Sequence, residues 1–397
     1  MHDHAHHHPH PHTHSHTHSH SRRGFLARAL GAAWFGVSTL ERAALIAARA
    51  RAQSRGPQPK LFDLEKVADG VYGAIARGRA ILNCNAVIFE NANDLVVVDA
   101  HAAPSAVYAL VAQIRAEITP KPVRYVISTH VHGDHTQGLA GYRKVEPKAE
   151  IIASATTRQV LAATGQSRLK SAVDNVPRSI ENLRQRLGSA KNAEERAYYE
   201  EMIAQSQAFL EEMRTVTAEV PDIAFTDRMT LHDKAHDLHL SFRGRGHTAG
   251  DIIVFCPQKK ALASGDLLHS FFPTMGDGYP RDWPATLRSI DELEFEHLVG
   301  GHGGAQLGKQ RLPQLKSYIE ELIEVVGKAK KDGMPLERVV ETVTPASLKS
   351  LGGGYGDFLT KEVKRLDFRV LLSTPEEVAQ RGLRENVTAV YRNIDRA

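Results

Sequence analysis

The residues with the clearest capacity for chemistry are His130-Val131-His132-Gly133-Asp134-His135, inside the run Val123–Gly141. Four of these six are metal-ligand types. Upstream, Val123, Tyr125 and Ile127 alternate with Arg124, Val126 and Ser128, a half-buried strand pattern. The ligands therefore stand where a strand gives way to a loop. On extended backbone, residues i and i+2 point the same way, so His130 and His132 can close on one cation. Asp134 and His135 come as the chain turns, suited to a second cation nearby, and Gly133 permits the turn. A single surface histidine needs no such explanation. Three histidines and an aspartate in six residues favour metal over a solvated loop.

The pattern resembles H-x-H-x-D-H, the signature of the metallo-β-lactamase-fold hydrolases, and further motifs follow in that family's order. Asp99 ends the apolar run Leu95–Val98. His247 lies in Gly246-His247-Thr248, before the apolar Ile252–Phe255. Asp266 follows Ala261–Gly265, and His302 sits in Gly300-Gly301-His302-Gly303. The resemblance covers about 60–305. It implies that His130, His132 and His247 hold one metal, that Asp134, His135 and His302 hold a second, and that Asp266 bridges them. Asp99 would orient ligands from behind, and Asp134 would also be catalytic. Three imidazoles with an open fourth position mark a catalytic rather than a structural zinc. The implied cofactor is two Zn2+ per chain, with iron or manganese as alternatives.

The implied activity is hydrolysis of a small-molecule ester, thioester or lactone by water activated to hydroxide at the dinuclear centre. Asp266 matches the glyoxalase-II-like and lactonase-like branches, whereas zinc β-lactamases use other residue types there. The basic glutathione-binding residues of glyoxalase II have no clear match. β-Lactam hydrolysis, a mononuclear iron sulfur dioxygenase and a non-enzymatic periplasmic metal-binding protein are the rival readings. His101, His269 and His297 match no ligand position. His101 reads as an ordinary loop residue, and His232, His236 and His239 as surface or strand histidines.

The elements that must position these side chains are also legible. Short apolar runs at Val71–Ala74, Ala86–Phe89 and Leu95–Val98 read as strands, and Pro104–Ile118 has helical spacing with Val107, Leu110, Val111 and Ile114 on one face. About 156–218 reads as a helical insertion, a hairpin punctuated by Pro177, Gly188 and Pro221. Residues 311–397 are mostly helical, with Leu315, Ile319, Leu322 and Val326 as a stripe. The fold class is α/β: an αββα metallo-β-lactamase sandwich over 57–310, with that insertion and a helical C-terminal extension.

Residues 1–52 are of another kind. Eleven of the 22 histidines fall in residues 2–20, among Pro, Thr and Ser, where no core can form. Ser21-Arg22-Arg23-Gly24-Phe25-Leu26 looks like a twin-arginine signal, and Ala29–Leu40 is too short for a stable membrane span, which needs about 20 residues. Ala50-Arg51-Ala52 supplies a small-x-small cleavage pattern. The expectation is export to the periplasm by the twin-arginine translocation machinery, with cleavage near Ala52. The leader carries six of the 50 Lys+Arg and two of the 46 Asp+Glu, leaving 44 of each, so the +4 net charge is no sign of an acidic partner. No basic patch interleaved with aromatics indicates nucleic acid. Cys84 and Cys256, both in apolar runs, read as buried free thiols, with a disulfide as the alternative.

Overall fold

The two inner layers are sheets built from short apolar strands. The computed structural model describes residues 60–78, 83–270, 272–352, 354–365 and 374–396. The histidine tract and the expected export signal lie outside the described residues. The first sheet runs in chain order: β1 (Phe62–Ala68), β2 (Val71–Ala76), β3 (Ala86–Glu90), β4 (Leu95–Val98), β5 (Val123–Ile127), β6 (Glu150–Ser154) and β7 (Ile223–Phe225). It is antiparallel from β1 to β4 and parallel from β4 to β7. The second comprises β8 (Arg228–His232), β9 (Asp237–Phe242), β10 (Ile252–Cys256), β11 (Ala261–Gly265), β12 (His297–Gly300) and β13 (Gln306–Leu307). Its order is β13-β12-β11-β10-β9-β8, and only β11 and β12 pair in parallel.

Alternation along the strands sorts side chains into three apolar layers. Val87, Phe89, Val96 and Val98 meet Val254, Cys256 and Val299 between the sheets. Ala86, Ile88, Leu95 and Val97 face the other way, onto α1 (Pro104–Glu117) and α3 (Leu139–Val145), and the short α2 (Gly133–Thr136) stands between β5 and α3 in the chain. On the far side, Ile253, Phe255, Leu262 and Leu298 pack against α6 (Trp283–Asp291), α7 (Arg311–Lys331), α8 (Leu336–Thr342), α9 (Tyr355–Arg365) and α10 (Pro375–Asn393). A period of two lets β3, β4, β10 and β11 each serve two cores. The C-terminal helices thus supply the outer layer over the second sheet. Among the described residues, no helix is long and apolar enough to cross a membrane.

Between β6 and β7 stand α4 (Ala155–Gly188) and α5 (Ala193–Met213), an antiparallel hairpin. Pro177 does not break it: α4 continues through that residue to Gly188. Three histidine and cysteine readings meet the structure here. His101 is fully buried, stacked on Phe62 with ring centroids 4.3 Å apart, and donates from Nδ1 to the Cys84 carbonyl at 2.9 Å, so it is no ordinary loop residue. His236 is likewise buried, beside Phe89, whereas His232 is exposed. Apolar neighbours enclose both rings, a context that histidine spacing alone does not reveal. Cys84 and Cys256 are buried free thiols.

Candidate metal centre

Parallel strands aim their C-terminal ends one way, and loops at those ends build sites in open α/β sheets. Asp99 directly follows β4, His130 lies three residues past β5, Asp266 directly follows β11, and His302 lies two past β12. His247 precedes β10. That strand runs antiparallel to β11, so its beginning lies beside the end of β11. All of these loops therefore open at one edge of the sandwich.

Two groups of ligand atoms form there. His130, His132, His247 and Asp266 make one, and Asp134, His135 and His302 make the other, with the atoms of each group within 4.8 Å of one another. Asp266 stands between the groups. Its Oδ2 is 3.4 Å from His247 Nε2, 3.9 Å from His130 Nε2 and 3.6 Å from His302 Nε2, while its Oδ1 is 3.4 Å from His135 Nε2. Asp134 Oδ2 lies 3.0 Å from His302 Nε2 and 3.5 Å from His135 Nε2. All seven residues singled out in the sequence are thus brought into one cluster.

Partners behind the rings fix which nitrogen faces inward. Asp99, held at φ +69°, accepts from His135 Nδ1 at 2.8 Å and from the backbone N–H of Thr129 at 2.8 Å. The Thr129 hydroxyl donates to Asp99 at 2.9 Å and accepts from His130 Nδ1 at 3.0 Å. His247 Nδ1 donates to the Thr274 carbonyl at 2.7 Å. Each of these imidazoles therefore turns its Nε2 toward the cluster. His132 is turned the other way. Its Nε2 donates to Asp277 Oδ2 at 3.1 Å, leaving Nδ1 inward, 2.8 Å from His247 Nε2.

The donor set fits a metal on its own terms. His130 Nε2, His135 Nε2 and Asp266 Oδ1 are buried with no hydrogen-bond partner, an expensive condition that a bound cation relieves. Burial drives His130 well below the usual imidazole range and His247 down to about 3, so both are neutral ligands at pH 7. Burial would raise the Asp134 carboxyl, but His135 and His302 outweigh it and hold the group near 2. The same carboxylates overcome burial at His302 and lift it to about 9. This end of the cleft is negative enough to draw protons, and a divalent cation answers to the same field. Cys84 also lies close to Asp99 and His135, but burial raises its thiol to about 12, so it stays protonated and is a poor ligand.

The loop carrying His302 is shaped by glycine and by one asparagine. A Cβ on Gly301 would overlap Asp266 Oδ1 and come within 2.8 Å of His135 Cε1, so only glycine lets the backbone pass there. Asn85, just before β3, donates from Nδ2 to the carbonyls of Gly300 at 2.9 Å and Gly303 at 2.7 Å. Sequence reading missed Asn85, Thr129 and Asp277. Asn83 and Asn85 flank Cys84 at the head of an apolar run, a polar intrusion that could have been noticed. Asp277 stands between two glycines, which reads only as a turn.

The family model described as Metallo-beta-lactamase superfamily matches residues 79–302. A curated metallo-beta-lactamase type 2 from Bacteroides fragilis is 28% identical over 116 residues, 28% of this chain and 46% of that protein, so the match spans about half of the relative's length. Among solved structures, DIM-1 metallo-beta-lactamase is similar at 17% identity and TM-score 0.47, covering 66% of this chain and 98% of that one. A metallo-beta-lactamase from Pontibacter korlensis gives 16% and 0.48, covering 65% and 99%. TMB-1 gives 19% and 0.46, covering 65% and 97%. The family match takes in more than half of the chain, from before Asp99 to His302 itself, and on that ground the chain belongs to the metallo-β-lactamase superfamily.

Proposed function

We propose that this protein is a metal-dependent hydrolase with two divalent cations, zinc by preference, acting on an ester, thioester or lactone. The observation that carries the reading is the gathering of six ligand side chains around a seventh, the buried Asp266 carboxylate, with orphaned buried atoms among them. His130, His132 and His247 would hold one ion, Asp134, His135 and His302 the other, and Asp266 both. When bound, such a pair supplies a water of pKa near ~7 instead of ~15.7 and a Lewis acid for the carbonyl oxygen.

The protein's own part follows from its geometry. Asp99, Thr129 and the Thr274 carbonyl orient the rings of His135, His130 and His247, so these three ligands are held in place before an ion arrives. Asp134 keeps 27% of its side chain exposed while the imidazoles behind it are buried. Held ionised, it faces the open cleft, where it orients the attacking water and accepts its proton. The leader supports export to the periplasm by the twin-arginine route, with cleavage near Ala52.

A second reading, hydrolysis of a β-lactam amide, is favoured by the name of the Bacteroides fragilis relative. A hydrolysis screen of the zinc-loaded protein across ester, thioester, lactone and β-lactam substrates decides between them. Asp134→Asn should lower kcat at least 100-fold on the accepted substrate. An Asp134→Asn protein with full metal and undiminished turnover would refute the role given to that carboxylate.

A further inference from the structure

A cavity of about 490 Å³ opens beside Asp134, between the metal-binding loop and the helical hairpin. One wall is Val131, Gly133 and Asp134. The other is Leu161, Leu169 and Phe209 from α4 and α5. This volume is in the range of small-ligand pockets, which are apolar with a few polar groups at the reacting end. Its charged lining groups are already engaged. Arg168 lies 3.6 Å from Asp277, and Glu219 accepts from Arg143 at 3.2 Å. Thr136, Gln137, Ser167 and Ser171 add polar atoms to the lining, while Ala102, Val131, Leu161, Leu169, Phe209 and Val216 give it apolar surface in the same cavity as the Asp134 carboxylate of the metal centre.

The hairpin wall is tied down at both ends. Ser154 and Thr157, at the start of α4, both donate to the Gly250 carbonyl in the loop that carries His247, at 2.7 and 3.1 Å. Glu212, at the end of α5, accepts from Ser105 N–H and Oγ, each at 2.7 Å. Gly165 is the informative residue. It lies inside α4, where glycine costs stability relative to alanine. Packing does not demand it, because a Cβ there would make only ordinary contacts, 3.4 Å to Ala218 and 3.8 Å to Leu161. Leu161, Gly165, Leu169 and Ala172 all line the cavity at helical spacing. The missing side chain preserves open volume.

We infer that this cavity holds the apolar acyl chain of the substrate, with the hairpin setting its length and the carbonyl placed beside Asp134. The assignment rests on the ester-hydrolase reading, and its test separates the two. kcat/KM of the zinc-loaded protein is measured on p-nitrophenyl acetate, butyrate, hexanoate and octanoate, and octanoate binding is measured by calorimetry. Each buried methylene should raise kcat/KM about fourfold, the equivalent of about 0.8 kcal/mol.

Ala172→Phe, at a half-buried position of the wall, should cut kcat/KM on the octanoate ester at least tenfold while leaving acetate within twofold. The same variant should weaken octanoate binding about tenfold. Gly165→Ala, which should not lower the melting temperature, should reduce octanoate preference in the same direction. A flat chain-length profile, or octanoate binding that neither variant alters, overturns the assignment. Octanoate binding lost in Ala172→Phe, with no ester turned over by the parent protein, supports the pocket and refutes the ester reading instead.

Discussion

At the scale of residues, the site depends as much on groups behind the ligands as on the ligands themselves. Asp99 alone holds His135 directly and His130 through Thr129. Asp99→Ala should therefore weaken metal affinity about 10- to 100-fold, as losses behind a ligand typically do, and chelator competition reads it. An unchanged affinity would mean that the two rings hold their orientation without it. Much of this layer was legible. Spacing in His130–His135 implied metal, and the order of motifs implied Asp99, His247, Asp266 and His302. Asp277 was not legible, because its contact with His132 joins residues 145 positions apart through a loop with no periodicity of its own. His101 was misread because its burial depends on Phe62 and on the backbone of Cys84, neither of which marks it in sequence.

At the scale of elements, strand ends do the positioning. Four of the functional loops leave β4, β5, β11 and β12, and the parallel pairings of those strands set their common direction. Period-two alternation made the strands readable from single residues such as Val87 and Ile88, which point into different cores. Helix ends were harder. Pro177 looked like a break, yet α4 runs through it, because only the carbonyl four residues earlier loses its partner while the rest of a long helix is retained. The glycine loop after β12 can be tested on its own. Gly301→Ala should push the His302 loop off Asp266 and His135, lowering occupancy of the second ion while the first is kept, measured as metal per chain. Two ions retained in Gly301→Ala would show that the loop has slack the geometry does not suggest.

At the scale of the whole molecule, the chain's last turn reaches back to the site. Arg281 Nε donates to the Ile394 carbonyl at 2.6 Å, Asn393 Nδ2 to the Gly276 carbonyl at 2.8 Å, and Arg396 Nη1 to the Asp277 carbonyl at 2.8 Å. Arg396 also stacks on Tyr279, its guanidinium carbon 4.4 Å from the ring centroid, opposite Arg245 at 4.3 Å. This clamp fixes the loop that presents Asp277 to His132. Arg396→Ala should accordingly weaken the His130–His132–His247 site a few-fold with little loss of overall stability, since a single exposed arginine contributes modestly. Metal affinity and thermal melting, measured together, separate those effects, and an affinity equal to the parent's would remove the clamp from the account. The helical tail was readable as helix but not as a clamp, for the partners of Asn393 and Arg396 lie over a hundred residues away. The most direct test of the central claim is the metal content of the chain from Gln53 onward, with the histidine-rich leader removed. Two divalent ions per chain, falling to about one in His302→Ala and to none in Asp266→Ala combined with His247→Ala, is the predicted result. A leaderless chain that binds no metal, or one that keeps both ions without Asp266 and His247, would contradict it.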